Sequence, residues 1–218
     1  MVTVTAEHVR LPDLAWQPTL GEPATAPDLS FERRTRRRLD AQSWIDVVPG
    51  WLHHHEDLFE ELLRSPRWAQ RQRRMYDRVV DEPRLVAGWR DDDLADLPPR
   101  IEQARAKLSQ TYSVELDSVL VNLYRDGQDA VAWHGDTVRK TLPLTVVMTV
   151  SLGHRRRFRV RPRGGGPAVL ELHPGEGDLV VMGGRMQHDY EHTVPRERVV
   201  GGARMSVTMR HSRLGNSL

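Results

Sequence analysis

Residues 117–210 form a succession of short apolar runs, at 117–124, 130–134, 144–152, 156–163, 168–172, 178–183, 189–194 and 203–210. Glycine and proline punctuate them, at Gly127, Gly164-Gly165-Gly166 and Pro174-Gly175. Each run is too short for a buried helix and ends at a turn residue, so each reads as a strand. Many short strands with such turns predict a sandwich or barrel. The half before them has a different period. Leu58, Phe59, Leu62 and Leu63 recur at helical spacing, and Pro98-Pro99 opens a second helix to about Tyr112, with Leu97, Ile101, Ala104 and Leu108 on one face. The expectation is an α+β chain with helices packed ahead of a β core.

Three stretches follow: an irregular N-terminal extension over 1–40, broken by Pro12, Pro18, Pro23 and Pro27; a helical part over 41–116; and the β-rich part over 117–213. The 218 residues suffice for one substantial domain, and 39% hydrophobic residues suffice for its core. Cysteine is absent, which excludes disulfides, thiolate nucleophiles and cysteine metal sites. No apolar run approaches the ~18 residues of a membrane span, and no basic n-region leads an apolar h-region. The expectation is a cytoplasmic monomer. Net charge is only +2, so any polyanion binding depends on local clustering.

The β-rich half carries the chemistry. His134 and Asp136 lie two residues apart and so share one strand face. A second, distant histidine would complete a 2-His-1-carboxylate facial triad, the pattern of non-haem Fe(II) oxygenases, with positions left open for a co-substrate and O2. His188 and His192 both qualify by position, and manganese fits the same ligands. Arg204 and Arg210 share a face of the last strand, where burial without an anion would be costly. A dicarboxylate such as 2-oxoglutarate supplies partners for both; Arg139 and Lys140 are the next cations in line. Asn122 and Tyr124 share another strand face. The histidines His53, His54 and His55 open the first helix and point ~100° apart there, which suits solvent or capping roles rather than a metal.

These residues resemble the AlkB-like Fe(II)/2-oxoglutarate dioxygenases, in particular their nucleic-acid dealkylating branch. The text that carries the likeness is PRLVAGW (83–89), NLYRDGQDAVAWHGD (122–136), SLG (151–153), GDLVVMGG (177–184), HTVP (192–195) and RMSVTMR (204–210). The resemblance implies a double-stranded β-helix, or jelly roll, and a nucleotide-recognition role for 41–116. It assigns iron to His134, Asp136 and His192, and 2-oxoglutarate to Asn122, Tyr124, Arg204 and Arg210. It implies oxidative demethylation of an N-alkylated base in DNA or RNA, with loss of formaldehyde. In two places the chain departs from the pattern. Thr137 and Val138 stand where many members carry an acidic residue that meets a base, and Ser206 stands where many carry Asn.

On the substrate side, an extended 155–163 would put Arg155, Arg157, Arg159, Arg161 and Arg163 on one face, with Phe158 and Val160 turned to the core. Such a face suits successive phosphates, as does the Arg33–Arg38 run. The alternative for both is a solvated surface. A base reaching a buried iron must leave its stack for an aromatic platform, and Met75, Tyr76 and Trp89 are the candidates; Trp133 is expected beneath the site. The competing functions are an oxygenase of the same chemistry acting on a small molecule or protein side chain, and a catalytically silent nucleic-acid-binding module.

Overall fold

The computed structural model describes residues 31–75, 77–138 and 142–211. Two antiparallel sheets face each other. The larger contains eight strands. In chain order they are β1 (Thr35–Arg38), β2 (Ser43–Val48), β3 (Ala69–Met75), β4 (Arg78–Arg90), β5 (Ser118–Tyr124), β7 (Thr145–Gly153), β10 (Leu179–Gly184) and β12 (Arg204–Arg210). Their spatial order is β1-β2-β10-β7-β12-β5-β4-β3. The smaller sheet is built from β6 (Val131–His134), β8 (Phe158–Pro162), β9 (Leu170–Leu172) and β11 (Tyr190–Val194), in the order β6-β11-β8-β9. Helices α1 (His55–Leu63) and α2 (Pro99–Tyr112) are joined by a single-turn α3 (Met186–Asp189) ahead of β11. No helix among the described residues is long and apolar enough to cross a membrane.

The middle strands of the large sheet are buried on both faces, and side-chain alternation divides their residues between two cores. Val119, Val121 and Leu123 of β5, Met148, Val150 and Leu152 of β7, and Met205, Val207 and Met209 of β12 pack in one cluster with Leu58, Phe59, Leu62, Ile101 and Leu108 of the helices. The alternate residues face the small sheet. Toward β2 and β10 that second core is apolar, with Ile45, Val147, Val160, Val180 and Met182. Toward β5 and β12 it turns polar, with Asn122, Ser206, Thr208 and Arg204, all buried. The strand closest to the middle of the sheet therefore carries the polar side chains that form the site.

Each apolar run of the β-rich half is a strand, and both helices lie where their periodicity places them. The stretch boundaries at 40/41 and 116/117 do not interrupt the sheet. Residues 35–38 form its edge strand, and β2, β3 and β4 pair into the same sheet as β5, β7, β10 and β12. The strands were hidden because β1 reads TRRR and β3 reads AQRQRRM, edges without the apolar alternation that marks a half-buried strand. Within the histidine run, His54 occupies the N-cap of α1 in the left-handed region (φ 50°) without a side-chain cap, and His55 is buried beside Glu56.

Trp89 is not at the surface. It pairs in register with Val119, shares its face, and is packed in the core against the helices. A substrate platform is excluded there by position. Replacing Trp89 by Ala should cost about 3–5 kcal/mol of stability, the usual loss for a large buried aromatic, measured by urea denaturation. Stability unchanged within ~1 kcal/mol would show that the indole is not core.

Candidate active site

The site lies at the polar end of the space between the sheets. His192 of β11 is directly opposite His134 of β6, so both imidazoles project from the inner face of the small sheet. Their ring centroids are 4.4 Å apart. The chain leaves β6 through Gly135 and brings Asp136 back to the pair, with its Oδ2 3.4 Å from His192 Nε2. One ligand atom from each of His134, Asp136 and His192 lies within 4.8 Å of the others, the one such group among the described residues. His188 is elsewhere: its Nε2 meets the Leu142 carbonyl at 2.8 Å.

The environment prepares these groups as ligands. Burial pushes the His192 imidazole down to about 4, assisted by His134 and Arg210 and opposed by Asp136. His192 is therefore neutral near pH 7, with a lone pair to offer. Phe158 lies against its ring, centroids 5.2 Å apart. The His134 Nδ1 sits 2.8 Å from the Ala132 carbonyl. A carbonyl only accepts, so Nδ1 carries the proton and Nε2 is left free. Burial alone would raise the Asp136 carboxyl, but Arg210, His192 and His134 outweigh it and hold it below the usual range. Arg210 Nη2 lies 2.6 Å from Asp136 Oδ1.

The turn that delivers Asp136 is clamped. The buried Gln187 accepts the Asp136 N–H on Oε1 at 2.7 Å. Arg163 donates to the Gln187 and His188 carbonyls at 2.8 and 2.7 Å. Its guanidinium covers Gly135: a Cβ there would sit 2.5 Å from Arg163 Nη2 and 3.0 Å from the Gln187 carbonyl. A side chain between His134 and Asp136 has no room without displacing this clamp.

Beside the triad, β5 and β12 line a cavity of about 180 Å³. Arg204 opposes Tyr124, and Ser206 opposes Asn122, across the β5–β12 ladder. The Arg204 side chain is buried; burial lowers its guanidinium to about 10, so it stays charged at neutral pH. Its Nη2 donates to Ser151 Oγ at 2.7 Å, but Nε and Nη1 are buried without a partner, as is Arg210 Nε. Unpaired donors on a buried cation are costly, and an anion entering the cavity removes that cost. Asn122 donates to Ser206 Oγ at 3.3 Å and accepts from Arg84 Nε at 3.0 Å. The donor set fits the implied groups: two imidazoles and a carboxylate for Fe(II), and two guanidiniums with spare N–H groups for a dicarboxylate.

From the sequence, Arg84, Ser151 and Gln187 carry no site role, and Phe158 is placed only as a core-facing residue. Arg84, Ser151 and Phe158 share their strand face with assigned site residues, a signal that becomes usable only once strand register is known. Gln187 precedes β11 in α3 and left no pattern. The substrate candidates fare differently. Met75 ends β3, while Tyr76, Arg139 and Lys140 lie outside the described residues. Trp133 points to the outer face of the small sheet, where Arg161 stacks over it at 4.4 Å, rather than beneath the site. The run 155–163 is extended only over β8, and Phe158 and Val160 do face inward. Its arginines face away from the cavity and meet the protein's own groups: Arg155 with Glu176, Arg157 with Glu197, Arg159 with Glu171, Arg161 with Glu191. Arg156 is buried against Glu197 and the carbonyls of Asp126, Asp129 and Pro195.

The sequence profile of the 2OG-Fe(II) oxygenase superfamily matches residues 86–210, which include all three triad residues and both arginines, and the chain belongs to that superfamily. Within it the chain is similar to AlkB homologues. It is 26% identical over 193 residues to the alpha-ketoglutarate-dependent dioxygenase alkB homolog 3 of Bos taurus, covering 77% of this chain and 66% of that protein, just short of two thirds of its length. It is 25% identical over 234 residues to the DNA oxidative demethylase ALKBH2 of Homo sapiens, covering 89% of this chain and 90% of that one. In fold it is similar to the solved structure of OsALKBH1 (TM-score 0.59, 13% identity, 81% of this chain and 100% of that one). It is also similar to a prolyl hydroxylase of Trichoplax adhaerens, solved with a hypoxia inducible factor peptide fragment (TM-score 0.57, 11% identity, 77% and 83%). These neighbours share the jelly-roll core.

Two substitutions test the triad and its clamp separately. His134→Ala should weaken Mn(II) binding, titrated without oxygen, by more than ~100-fold. Gln187→Ala should weaken it by ~10–100-fold, as expected for a group that orients a ligand without touching the metal. Equal, wild-type affinity in both would contradict the assignment.

Proposed function

We propose that this chain is a 2-oxoglutarate-dependent demethylase of N-methylated nucleic-acid bases, with iron on His134, Asp136 and His192 and co-substrate on Arg204 and Arg210. The observation that carries the reading is a buried Arg204 and a partly buried Arg210, each with an unpartnered buried N–H, beside a neutral His, an ionised Asp and a second His. The name of the ALKBH2 relative, a DNA oxidative demethylase, supports the substrate class.

The roles follow from position. Arg204, with Ser151 and Tyr124 around it, receives the carboxylate deep in the cavity. Arg210, already on Asp136, serves the metal end. Asn122, steadied by Arg84 and Ser206, presents its amide to the same molecule. Phe158, Val131 and Val194 supply apolar walls that keep water from the reacting atoms. Bound Fe(II) and 2-oxoglutarate supply the O2-derived oxidant. The overall change is N–CH3 + O2 + 2-oxoglutarate → N–CH2OH + succinate + CO2. The hydroxymethyl group then leaves as formaldehyde, and its C–N bond is replaced by N–H.

The nucleic acid approaches the mouth of the cavity, where Arg71 and Arg84 lie. A second reading, an oxygenase of a small molecule or protein side chain, is favoured by one observation: the arginines of β8 are matched by carboxylates of the protein itself.

Two outcomes are expected. Methylated oligonucleotides incubated with Fe(II), 2-oxoglutarate and air should release one formaldehyde per methyl lost, and oligonucleotide affinity should fall steeply with salt. Turnover of 2-oxoglutarate with neither formaldehyde nor salt-dependent binding would favour the second reading. Mn(II) with 2-oxoglutarate should raise the melting temperature of the wild type, since a ligand bound only by the folded state stabilises it. The increment due to 2-oxoglutarate should vanish in Arg204→Met; its persistence would place the carboxylates elsewhere.

A further inference from the structure

Arg156 is a fully buried guanidinium for which neither the triad nor the co-substrate arginines account. It stands two residues before β8, where three connections meet. Its Nε donates to Glu197 Oε1 at 3.0 Å, Nη1 to the Asp126 carbonyl at 2.8 Å, and Nη2 to the carbonyls of Asp129 and Pro195 at 2.9 and 3.0 Å. One side chain thus joins the β5–β6 turn and the start of the β11–β12 connection to its own β7–β8 connection. The first two are also tied to each other: the Glu197 N–H donates to the Gly127 carbonyl at 2.9 Å. The Arg156 guanidinium lies 5.7 Å from the ring centre of Tyr124, and the Arg204 guanidinium lies 5.5 Å from the same ring. Burial lowers the Arg204 guanidinium, and the Arg156 charge adds to that effect, so the two cations sense each other.

We infer that Arg156 is a positioning residue for the co-substrate: it fixes Tyr124 and the turn that follows, so that Tyr124 and Arg204 stand ready for the far carboxylate. The inference rests on the co-substrate assignment above. Tyr124 is the last residue of β5 and Arg204 the first of β12, and they pair at the end of their ladder. No strand pairing continues beyond them, so long buried side chains at that end need another constraint. Arg156 supplies it, with a planar fork matched to fixed acceptors just past Tyr124 and a positive charge near its ring. The metal ligands do not need this support. His192 pairs on both sides, with His134 and Val160, and Gln187 holds Asp136. Lysine would keep the charge, but its donors share one nitrogen and cannot reach acceptors spread around a planar fork. A mere staple between loops would, when lost, weaken metal and co-substrate binding together. A positioning residue for the co-substrate separates the two.

The test compares two affinities without oxygen: Mn(II) for the free protein, and 2-oxoglutarate for the Mn(II)-loaded protein. Arg156→Lys should weaken 2-oxoglutarate binding by at least ~10-fold, the scale of hydrogen bonds lost from a buried charged group, and leave Mn(II) affinity within ~3-fold of wild type. Glu197→Gln removes the charge and keeps an acceptor; it should weaken 2-oxoglutarate by at least ~3-fold in the same selective way. It carries the test alone if Arg156→Lys does not fold. In a Tyr124→Phe background each loss should shrink by at least ~3-fold, because the hydroxyl being positioned is gone and the effects no longer add. Three outcomes overturn the inference and leave the co-substrate assignment standing. These are wild-type 2-oxoglutarate affinity in Arg156→Lys (or in Glu197→Gln, if that alone folds), equal losses of Mn(II) and 2-oxoglutarate, and losses that add in full to that of Tyr124→Phe. Absence of 2-oxoglutarate binding by the Mn(II)-loaded wild type removes the inference together with the assignment beneath it.

Discussion

Strand β12 is buried on both faces, and the site depends on how that burial is divided. Met205, Val207 and Met209 point toward the helices and anchor the strand in the larger core. Arg204, Ser206, Thr208 and Arg210 point the other way, into the space between the sheets. Two guanidiniums held this way resist being dissolved away by water, because the same strand is fixed by apolar side chains on its opposite face. The cost of burying them is offset in part by Ser151 and Asp136. The remaining unpaired N–H groups create the demand for an anionic ligand. The chain is thus strained electrostatically at the place where a dicarboxylate fits.

The candidate metal ligands come from the opposite sheet, and their precision derives from neighbours rather than from strand geometry alone. Pairing of β6 with β11 sets the two histidines opposite each other. Asp136 lies beyond the end of β6, where no ladder holds it, so Gln187 and Arg163 supply the missing constraint. Arg210 joins the two halves: it belongs to β12 yet touches Asp136 of the candidate triad. Loss of that one side chain therefore perturbs both ligand sets at once.

Much of this was legible in the sequence, for identifiable reasons. The apolar runs end at glycine and proline, so strand positions could be read directly; the spacing of His134 and Asp136 marked them as a pair, though Asp136 reaches His134 through the turn at Gly135 and not along a shared strand face. What could not be read was anything depending on which strands meet. The edge strands β1 and β3 are too polar to show alternation. Trp89 looked like an aromatic near the substrate, and only its register with Val119 turns it toward the helices. The arginines of β8 looked like an unopposed cationic stripe; Glu171, Glu191 and Glu197, distant in sequence, meet them in space. Charge clustering along a chain is not charge clustering on a surface, because the partner carboxylates arrive from other strands.

The central claim is that the triad, Arg204 and Arg210 form one chamber that takes iron and a 2-oxo acid together. The visible charge-transfer absorption of Fe(II) chelated by a 2-oxo acid tests it most directly, recorded without oxygen. The band should appear only when Fe(II) and 2-oxoglutarate are both present, and it should be absent from Asp136→Ala at matched concentrations. A band of undiminished intensity in that variant, or none in the wild type at saturating metal and co-substrate, would contradict the account.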